Sequence, residues 1–328
     1  MRLRSHDQNG SLFLAKGRDE KVRIAVWGGG ALGLLWSARL ARQFDQFLLI
    51  TRTIRQARQV KRTGVVLTTL TGERQTIRVK AQPARMLADE KPFDVILVMV
   101  KQHHLPSVFP LLKNVIHPKT QVLFFQNGWG HQKWLEKLSF HCDTYLAVTT
   151  EGALRKDNHV RHTGKGTSWI GSFPHFGKKP SLALKSLMEK AGEDLLQYDE
   201  NIHQRLWGKL TINCVINPMT AWYEVRNGEL LKPKYDADKE GILNEVVEVA
   251  SLEGISLKHQ QMWEQIHEVC RKTSANFSSM LQDLNHQRPT EIDYLNGAIV
   301  RLGEKHQRKL PINEEWVQRI REKEKFML

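Results

Sequence analysis

Arg23-Ile24-Ala25-Val26-Trp27-Gly28-Gly29-Gly30-Ala31-Leu32-Gly33 joins an apolar run to a glycine-rich turn. Its first five residues form a short apolar, β-prone run that ends at glycines. Ala31 to Arg42 then takes helical spacing, with Leu32, Leu35, Trp36 and Leu40 available for one buried face. A strand, a Gly-x-Gly-x-x-Gly turn and a helix in that order make a dinucleotide loop. Gly28 allows the tight turn, Gly30 lets the backbone approach a pyrophosphate, and Gly33 permits close helix–strand packing. The helix start adds free N–H groups and a partial positive charge, so Gly28, Gly29, Gly30, Ala31, Leu32 and Gly33 are all expected to face the ligand. A glycine triplet in an unrelated turn is the competing reading, and the flanking strand and helix weigh against it.

Outward from that loop, Phe47 to Ile50, Asp94 to Val100 and Gln121 to Phe125 read as further buried strands. Near-continuous apolar runs of this length, alternating with helical stretches, suit a parallel sheet covered on both faces. Gly64 to Val79 alternates around Thr71-Gly72, which predicts an inserted hairpin, and Leu146 to Gly171 is again strand-rich. Beyond about residue 200 strand signals nearly vanish. Ile292, Leu295, Ile299 and Leu302 form a stripe that would pack one helix onto a core. The expected architecture is α/β: an N-terminal extension over residues 1–22, a Rossmann-type doubly wound parallel sheet over 23–200, and a C-terminal all-α domain over 201–328 that supplies the substrate and catalytic side of a cleft.

The second strand bears on which dinucleotide binds. A loop selecting NAD usually has an Asp or Glu about 20 residues on, to hold the ribose hydroxyls. Here that region reads Ile50-Thr51-Arg52-Thr53-Ile54-Arg55, with no acid. A carboxylate there would repel a 2′-phosphate, whereas Arg52 can bind one through charge-assisted hydrogen bonds, with Thr51 as a further donor. A solvated surface arginine is the alternative; the missing acid favours NADPH/NADP+ over NADH.

Composition sets outer limits. With 328 residues, 41% hydrophobic and 26% charged, the chain can bury substantial cores and is not of disordered type. No apolar run approaches the roughly 20 residues needed to cross a bilayer, and the first 22 residues lack the apolar region of a secretory signal. Cys142, Cys214 and Cys270 are odd in number and widely spaced, which suits buried thiols in a reducing, cytoplasmic setting. The net charge of +14 would serve nucleic-acid binding or attraction of small anions. Much of it is dispersed among acids, so a solvated surface explains it and neither a nucleic-acid nor a membrane partner is expected. His103-His104 has no acidic or cysteine partner at metal spacing, so no metal site is expected. The nine tryptophans are dispersed and suit packing, and Asp283 and Asp293 read as structural helix residues.

The second half opens with Gly208-Lys209-Leu210-x-x-Asn213-x-x-x-Asn217-Pro218. On a helix, Lys209, Asn213 and Asn217 share one face. Read alone, Lys209 fits a solvated surface as well as a cleft wall.

Taken together with Val98-Met99-Val100-Lys101, Gln126-Asn127-Gly128-Trp129-Gly130, Gly152-Ala153, His162-Thr163-Gly164-x-Gly166, Asn227-Gly228-Glu229-Leu230, Ser278-Ser279-Met280-Leu281-Gln282-Asp283 and Thr290-Glu291-Ile292-Asp293, this stretch resembles the ketopantoate reductase (2-dehydropantoate 2-reductase) family over roughly the last 300 residues. The departures are the N-terminal extension and Trp129, where a smaller apolar residue is common. The resemblance implies reduction of ketopantoate to pantoate by NADPH, in pantothenate and coenzyme A biosynthesis. It casts Lys209 as proton donor and Glu291 as the carboxylate that contacts the cofactor and helps position the lysine. Lys101, Asn127 and Ala153 become cofactor contacts. Asn213, Asn217, Asn227 and Ser279 become substrate contacts, with Asn276 on the same wall. Neutral amides suit that task because they orient an anion without a tight ion pair to Lys209.

Two other readings stay open: a paralogue acting on another branched 2-keto acid, and a non-catalytic NADPH-binding sensor or nucleic-acid partner motivated by the charge. The second has no need of a proton donor. Oligomeric state, monomer or homodimer, is not written in the sequence.

Overall fold

Burial on both sides explains why the first strand reads as an unbroken apolar run. In the computed structural model, which describes residues 22–175 and 177–327, Ile24 and Val26 of β1 (Ile24–Trp27) enter one core, and Ala25 and Trp27 enter another. The expected extension over residues 1–22 lies outside the described residues, apart from Val22.

α1 (Ala31–Leu40) leaves the glycine turn as expected, but it is buried on nearly every side rather than along one stripe. The reason is a second sheet. After β2 (Phe47–Thr51) and α2 (Ile54–Thr63), the predicted hairpin forms from β3 (Val65–Thr68) and β4 (Arg74–Ile77), with Val65 opposite Ile77. β5 (Ala81–Pro83), β6 (Val95–Val98), α3 (Leu105–Leu112), β7 (Gln121–Phe124), α4 (Gln132–Ser139) and β8 (Asp143–Thr149) follow. β9 (Gly152–Lys156) and β10 (His159–Gly164) then join the hairpin in a four-stranded sheet of order β4-β3-β10-β9, which covers the outer side of α1.

With β11 (Ser168–Ser172), α5 (Leu182–Ala191) and β12 (Leu196–Tyr198), the main sheet has the order β12-β11-β8-β7-β6-β1-β2-β5. Its pairs are parallel except β8 with β11, which is antiparallel. The chain starts at β1, fills one side through β2, then crosses to β6 on the other. That reversal opens a crevice at the carboxyl ends of β1 and β6.

From α6 (Ile202–Tyr223) onward the described residues are helical: α7 (Asp236–Leu252), α8 (His259–Lys272), α9 (Ser279–Asn285), α10 (Asn296–Lys305) and α11 (Pro311–Met327). Trp207, Cys214, Met219, Ile242, Val246, Ile299 and Trp316 form their common core. Trp129 packs against both this core and one face of the main sheet, 5.2 Å from the Trp207 ring.

The single helix expected over residues 292–302 does not form. Ile292, Leu295, Ile299 and Leu302 are all buried, but they do not share one helix. Ile292 lies in a short 3-10 turn, and Leu295 has a non-helical backbone (φ −107°, ψ −104°), so α10 begins only at Asn296. Tertiary contacts bury the stripe across this break. Cys142, Cys214 and Cys270 are buried free thiols. Among the described residues no helix is long and apolar enough to cross a membrane.

Candidate active site at the domain cleft

The glycine turn owes its shape to one close approach. A Cβ on Gly33 would sit 1.8 Å from the Gly28 carbonyl oxygen, so only glycine lets α1 start this near the strand. Gly28 itself has φ +123° while its N–H donates to Ile50, which ties the turn to β2. The Gly29 carbonyl is held twice, by Gln56 Nε2 at 2.7 Å and by Arg155 Nη1. Across a trans peptide the C=O and N–H point opposite ways, so pinning this oxygen also sets the direction of the Gly30 N–H.

Charge gathers around the turn. Arg52 is exposed just beyond β2, and no carboxylate pairs with it among the described residues; its guanidinium lies 3.5 Å from His104 Nε2. Thr51, by contrast, is fully buried, and its hydroxyl donates to the Thr53 carbonyl at 3.0 Å, so it is not the free donor expected from the sequence. His104 is pushed down to about 4, by burial first and then by His103, Arg52 and Lys101. Arg155 is shifted down by burial and by its neighbours Arg288 and Arg52. Arg52 and Arg288 thus lie within electrostatic reach of Arg155, and Arg155 itself holds the turn that presents helix N–H groups.

Opposite the turn, the loop after β7 carries Asn127 to the helical half. Lys209, partly buried on α6, donates to Asn127 Oδ1 at 2.6 Å, and Asn127 Nδ2 donates to Glu291 Oε2 at 3.3 Å. One amide therefore accepts from the lysine and donates to the carboxylate. Burial pushes the Lys209 ammonium down to about 8, while Glu291 pulls it back up. Glu291 is raised by burial, opposed by Lys101, by the Asn127 hydrogen bond and by Lys209. The contact depends on Gly128 (φ +79°), where a Cβ would stand 2.1 Å from the Tyr294 carbonyl oxygen. That closeness lets the Trp129 N–H donate to the same oxygen at 2.8 Å.

Asn213 and Asn217 follow Lys209 along α6, the first partly buried and the second buried. Asn227 is buried in a 3-10 turn; its Nδ2 donates to Thr273 at 2.8 Å, while its Oδ1 is buried without a partner among the described residues. The Asn276 carbonyl accepts from the Asn227 N–H at 3.0 Å, and the Asn276 and Ser279 side chains are exposed. It is the neighbouring Ser278 that is buried, capping α9. Ala153 lies in β9, two residues before Arg155, and is partly buried.

Lys101 is engaged in an ion pair across the two halves. Its Nζ meets Asp283 Oδ2 at 2.5 Å, and Asp283 also holds Arg288 at 3.1 Å. Asp283 is in α9, as a structural helix residue should be, yet it ties the two halves together. Sequence reasoning missed Gln56, Arg155, Arg288 and this pairing; nothing in their spacing connects them to the loop. Among the described residues no cluster of His, Cys, Asp and Glu could hold a metal.

The family profile described as "Ketopantoate reductase PanE/ApbA" matches residues 24–175, and "Ketopantoate reductase PanE/ApbA C terminal" matches 201–324. The 2-dehydropantoate 2-reductase of Vibrio cholerae is 32% identical over 301 residues, covering 92% of this chain and 97% of the relative. That of Bacillus subtilis is 34% identical over 283 residues, covering 85% and 90%. Among solved structures, a ternary complex of D-mandelate dehydrogenase with NADH and anilino(oxo)acetate is similar with a TM-score of 0.85 at 25% identity, over 93% of this chain and 99% of that one.

Proposed function

The chain belongs to the ketopantoate reductase family, and on that premise we infer that it reduces 2-dehydropantoate to pantoate with NADPH, a step of pantothenate and coenzyme A biosynthesis. The observation that carries this reading is the junction of Lys209, Asn127 and Glu291 at the cleft. A lysine from the helical half meets the carboxyl end of a sheet strand beside the dinucleotide crevice, where a reducible carbonyl would lie.

The residues present fit the cofactor. Gly28, Gly29, Gly30, Ala31, Leu32 and Gly33 would take the pyrophosphate on backbone N–H groups. Arg52, with no acid beside it, would take a 2′-phosphate, and Arg155 and Arg288 would add to the same positive field. Lys101, Ala153, Asn127 and Glu291 would line the rest of the cofactor site. When bound, NADPH supplies the hydride.

The chain's own part is proton supply and orientation. Lys209 donates a proton from Nζ to the ketone oxygen as negative charge develops there, and afterwards recovers one from water. An ammonium near pKa 8 releases its proton more readily than an ordinary lysine, yet stays mostly charged at neutral pH. Asn127 aims Nζ, and Glu291 keeps it charged. Asn213, Asn217, Asn227 and Ser279 orient the carboxylate, ketone and hydroxyl of the substrate, with Asn276 at the rim.

A second reading concerns substrate shape. The similarity to a D-mandelate dehydrogenase complex, and Trp129 tilted against Trp207 two residues after Asn127, favour comparison with bulkier 2-oxo acids. One assay addresses both: oxidation of NADPH or NADH with ketopantoate, other branched 2-oxo acids and phenylglyoxylate. We expect ketopantoate with NADPH to be turned over best, and Lys209→Ala to abolish turnover while NADPH still binds. Full activity in that variant would sink the proton-donor role. Preference for an aromatic 2-oxo acid would replace the substrate.

A further inference from the structure

The helix that bears Lys209, Asn213 and Asn217 contains Pro218. Proline has no N–H, and its ring crowds the carbonyl four residues back, here that of Cys214. Cys214 is completely buried, and a buried carbonyl needs a partner. The partner comes from another helix: Asn296 Nδ2 donates to the Cys214 oxygen at 3.0 Å. The same amide nitrogen donates to Asn313 Oδ1 at 2.9 Å, and Asn313 Nδ2 donates to Glu245 Oε2 at 2.7 Å. Glu245 also accepts the backbone N–H groups of Ile312 and Asn313, at 2.9 and 2.8 Å, at the start of α11.

This chain of amides has a fixed direction. A carboxylate at one end and a carbonyl at the other can only accept, so both amides must turn their nitrogens as described. Asn296 and Asn313 are fully buried, and Asn296 Oδ1 has no partner among the described residues. Asn296 is therefore held for its donors.

Its place along the chain gives those donors a second consequence. Asn296 begins α10 directly after the segment 291–295. That segment presents Glu291 to Asn127, and its Tyr294 carbonyl accepts from Trp129. It is thus stitched at one side to the loop carrying Asn127 and at the other to the helix carrying Lys209. We propose that Asn296 is a positioning residue for proton transfer: by standing in for the amide that Pro218 lacks, it sets the Glu291 segment against the Lys209 helix. This rests on Lys209 being the proton donor. The groups around that ammonium are Asn127 and Glu291, with Lys101 and Asp283 behind the carboxylate.

Asn296→Ala and the double variant Asn296→Ala/Pro218→Ala separate satisfying a carbonyl from positioning. Alanine at 218 has an N–H and can restore the helical bond to Cys214. Three quantities are read on the full chain: melting temperature, the pH dependence of kcat with NADPH and ketopantoate, and the pH dependence of Lys209 acylation by acetic anhydride, followed by peptide mass spectrometry. The single variant should melt lower. Its Lys209 titration should move down by about half a unit or more, as Glu291 recedes. The double variant should regain most of the melting temperature but keep the shifted titration, and with it an alkaline limb at lower pH and a kcat at pH 7.5 lower by about 1.5-fold or more. Recovery of titration and kcat together with stability would overturn the proposal, leaving Asn296 a purely structural donor. If Asn296→Ala does not fold, the double variant carries the test alone. Asn313→Ala, which frees Asn296 from its anchor, repeats it. A folded variant of any of these with wild-type Lys209 titration also overturns it. Acylation needs no turnover, so failure of the ketopantoate reading would show separately, as a wild-type protein that oxidises NADPH with no 2-oxo acid.

Discussion

Replacing Glu291 by glutamine removes one negative charge from the surroundings of Lys209 while leaving an oxygen for Asn127 Nδ2. The lysine reaches the carboxylate through the amide, 2.6 Å on one side and 3.3 Å on the other. The two charges are therefore separated by about 7 Å, and an effective dielectric of ~20 gives an attraction of about 2 kcal/mol. Solvent reaches part of the cleft, so about half of that is retained, or roughly one pK unit. Glu291 raises the lysine, so its loss must lower it, from about 8 toward roughly 7. The fraction of ammonium at pH 7.5 then falls from about three-quarters to about one-quarter, a roughly threefold slower proton-dependent step that disappears below about pH 6. Single-turnover oxidation of NADPH with saturating 2-oxo acid, followed from pH 5.5 to 9.5, reads this directly. The alkaline limb should move to lower pH in Glu291→Gln, with the acidic plateau nearly intact. A limb that stays in place, or moves up, would refute the electrostatic reasoning. A plateau reduced more than about tenfold would show that the carboxylate does more than hold a charge.

Arg52→Ala should weaken NADPH by at least about tenfold and leave NADH nearly unchanged, because a charge-assisted pair to a phosphate is lost; fluorescence titration with both cofactors checks this, and equal losses would point to a general role. Arg155→Met should weaken both cofactors by a similar factor, since it orients the Gly29 peptide; a loss confined to NADPH would instead place Arg155 on the 2′-phosphate. Gly128→Ala places a Cβ where the Tyr294 oxygen stands 2.1 Å away, at φ +79°. It should cost about 2 kcal/mol or more and separate Asn127 from Glu291; thermal melting and kcat should fall together, and an unchanged kcat would mean that the loop tolerates the shift.

Much of the fold was legible because its determinants are local. β1, β2, β6 and β7 appear as apolar runs since both faces of the sheet are covered, and the hairpin at Thr71-Gly72 follows from turn chemistry. Where the reading failed, a distant element had intervened. The second sheet, built partly from residues 152–164, buries the side of α1 that periodicity would leave in water. The buried stripe at 292–302 crosses a helix break, because packing preserves burial but not helical continuity. Thr51 looked like a ligand donor, but β-sheet burial turned its hydroxyl onto Thr53.

By itself, the sequence determined the glycine turn, the missing acid after β2 and the residue types of the cleft, since each depends on chemistry within a few positions. Only the tertiary structure decided which of these groups meet. Asn127 and Lys209 are 82 residues apart, Asn127 and Glu291 are 164 apart, and Arg155 reaches Gly29 across 126. No local period encodes such pairings, because hydrogen-bond geometry is settled by how the two halves pack. The junction of Lys209, Asn127 and Glu291 is a property of the assembled cleft, and so is the asparagine that donates to the Cys214 carbonyl in place of Pro218.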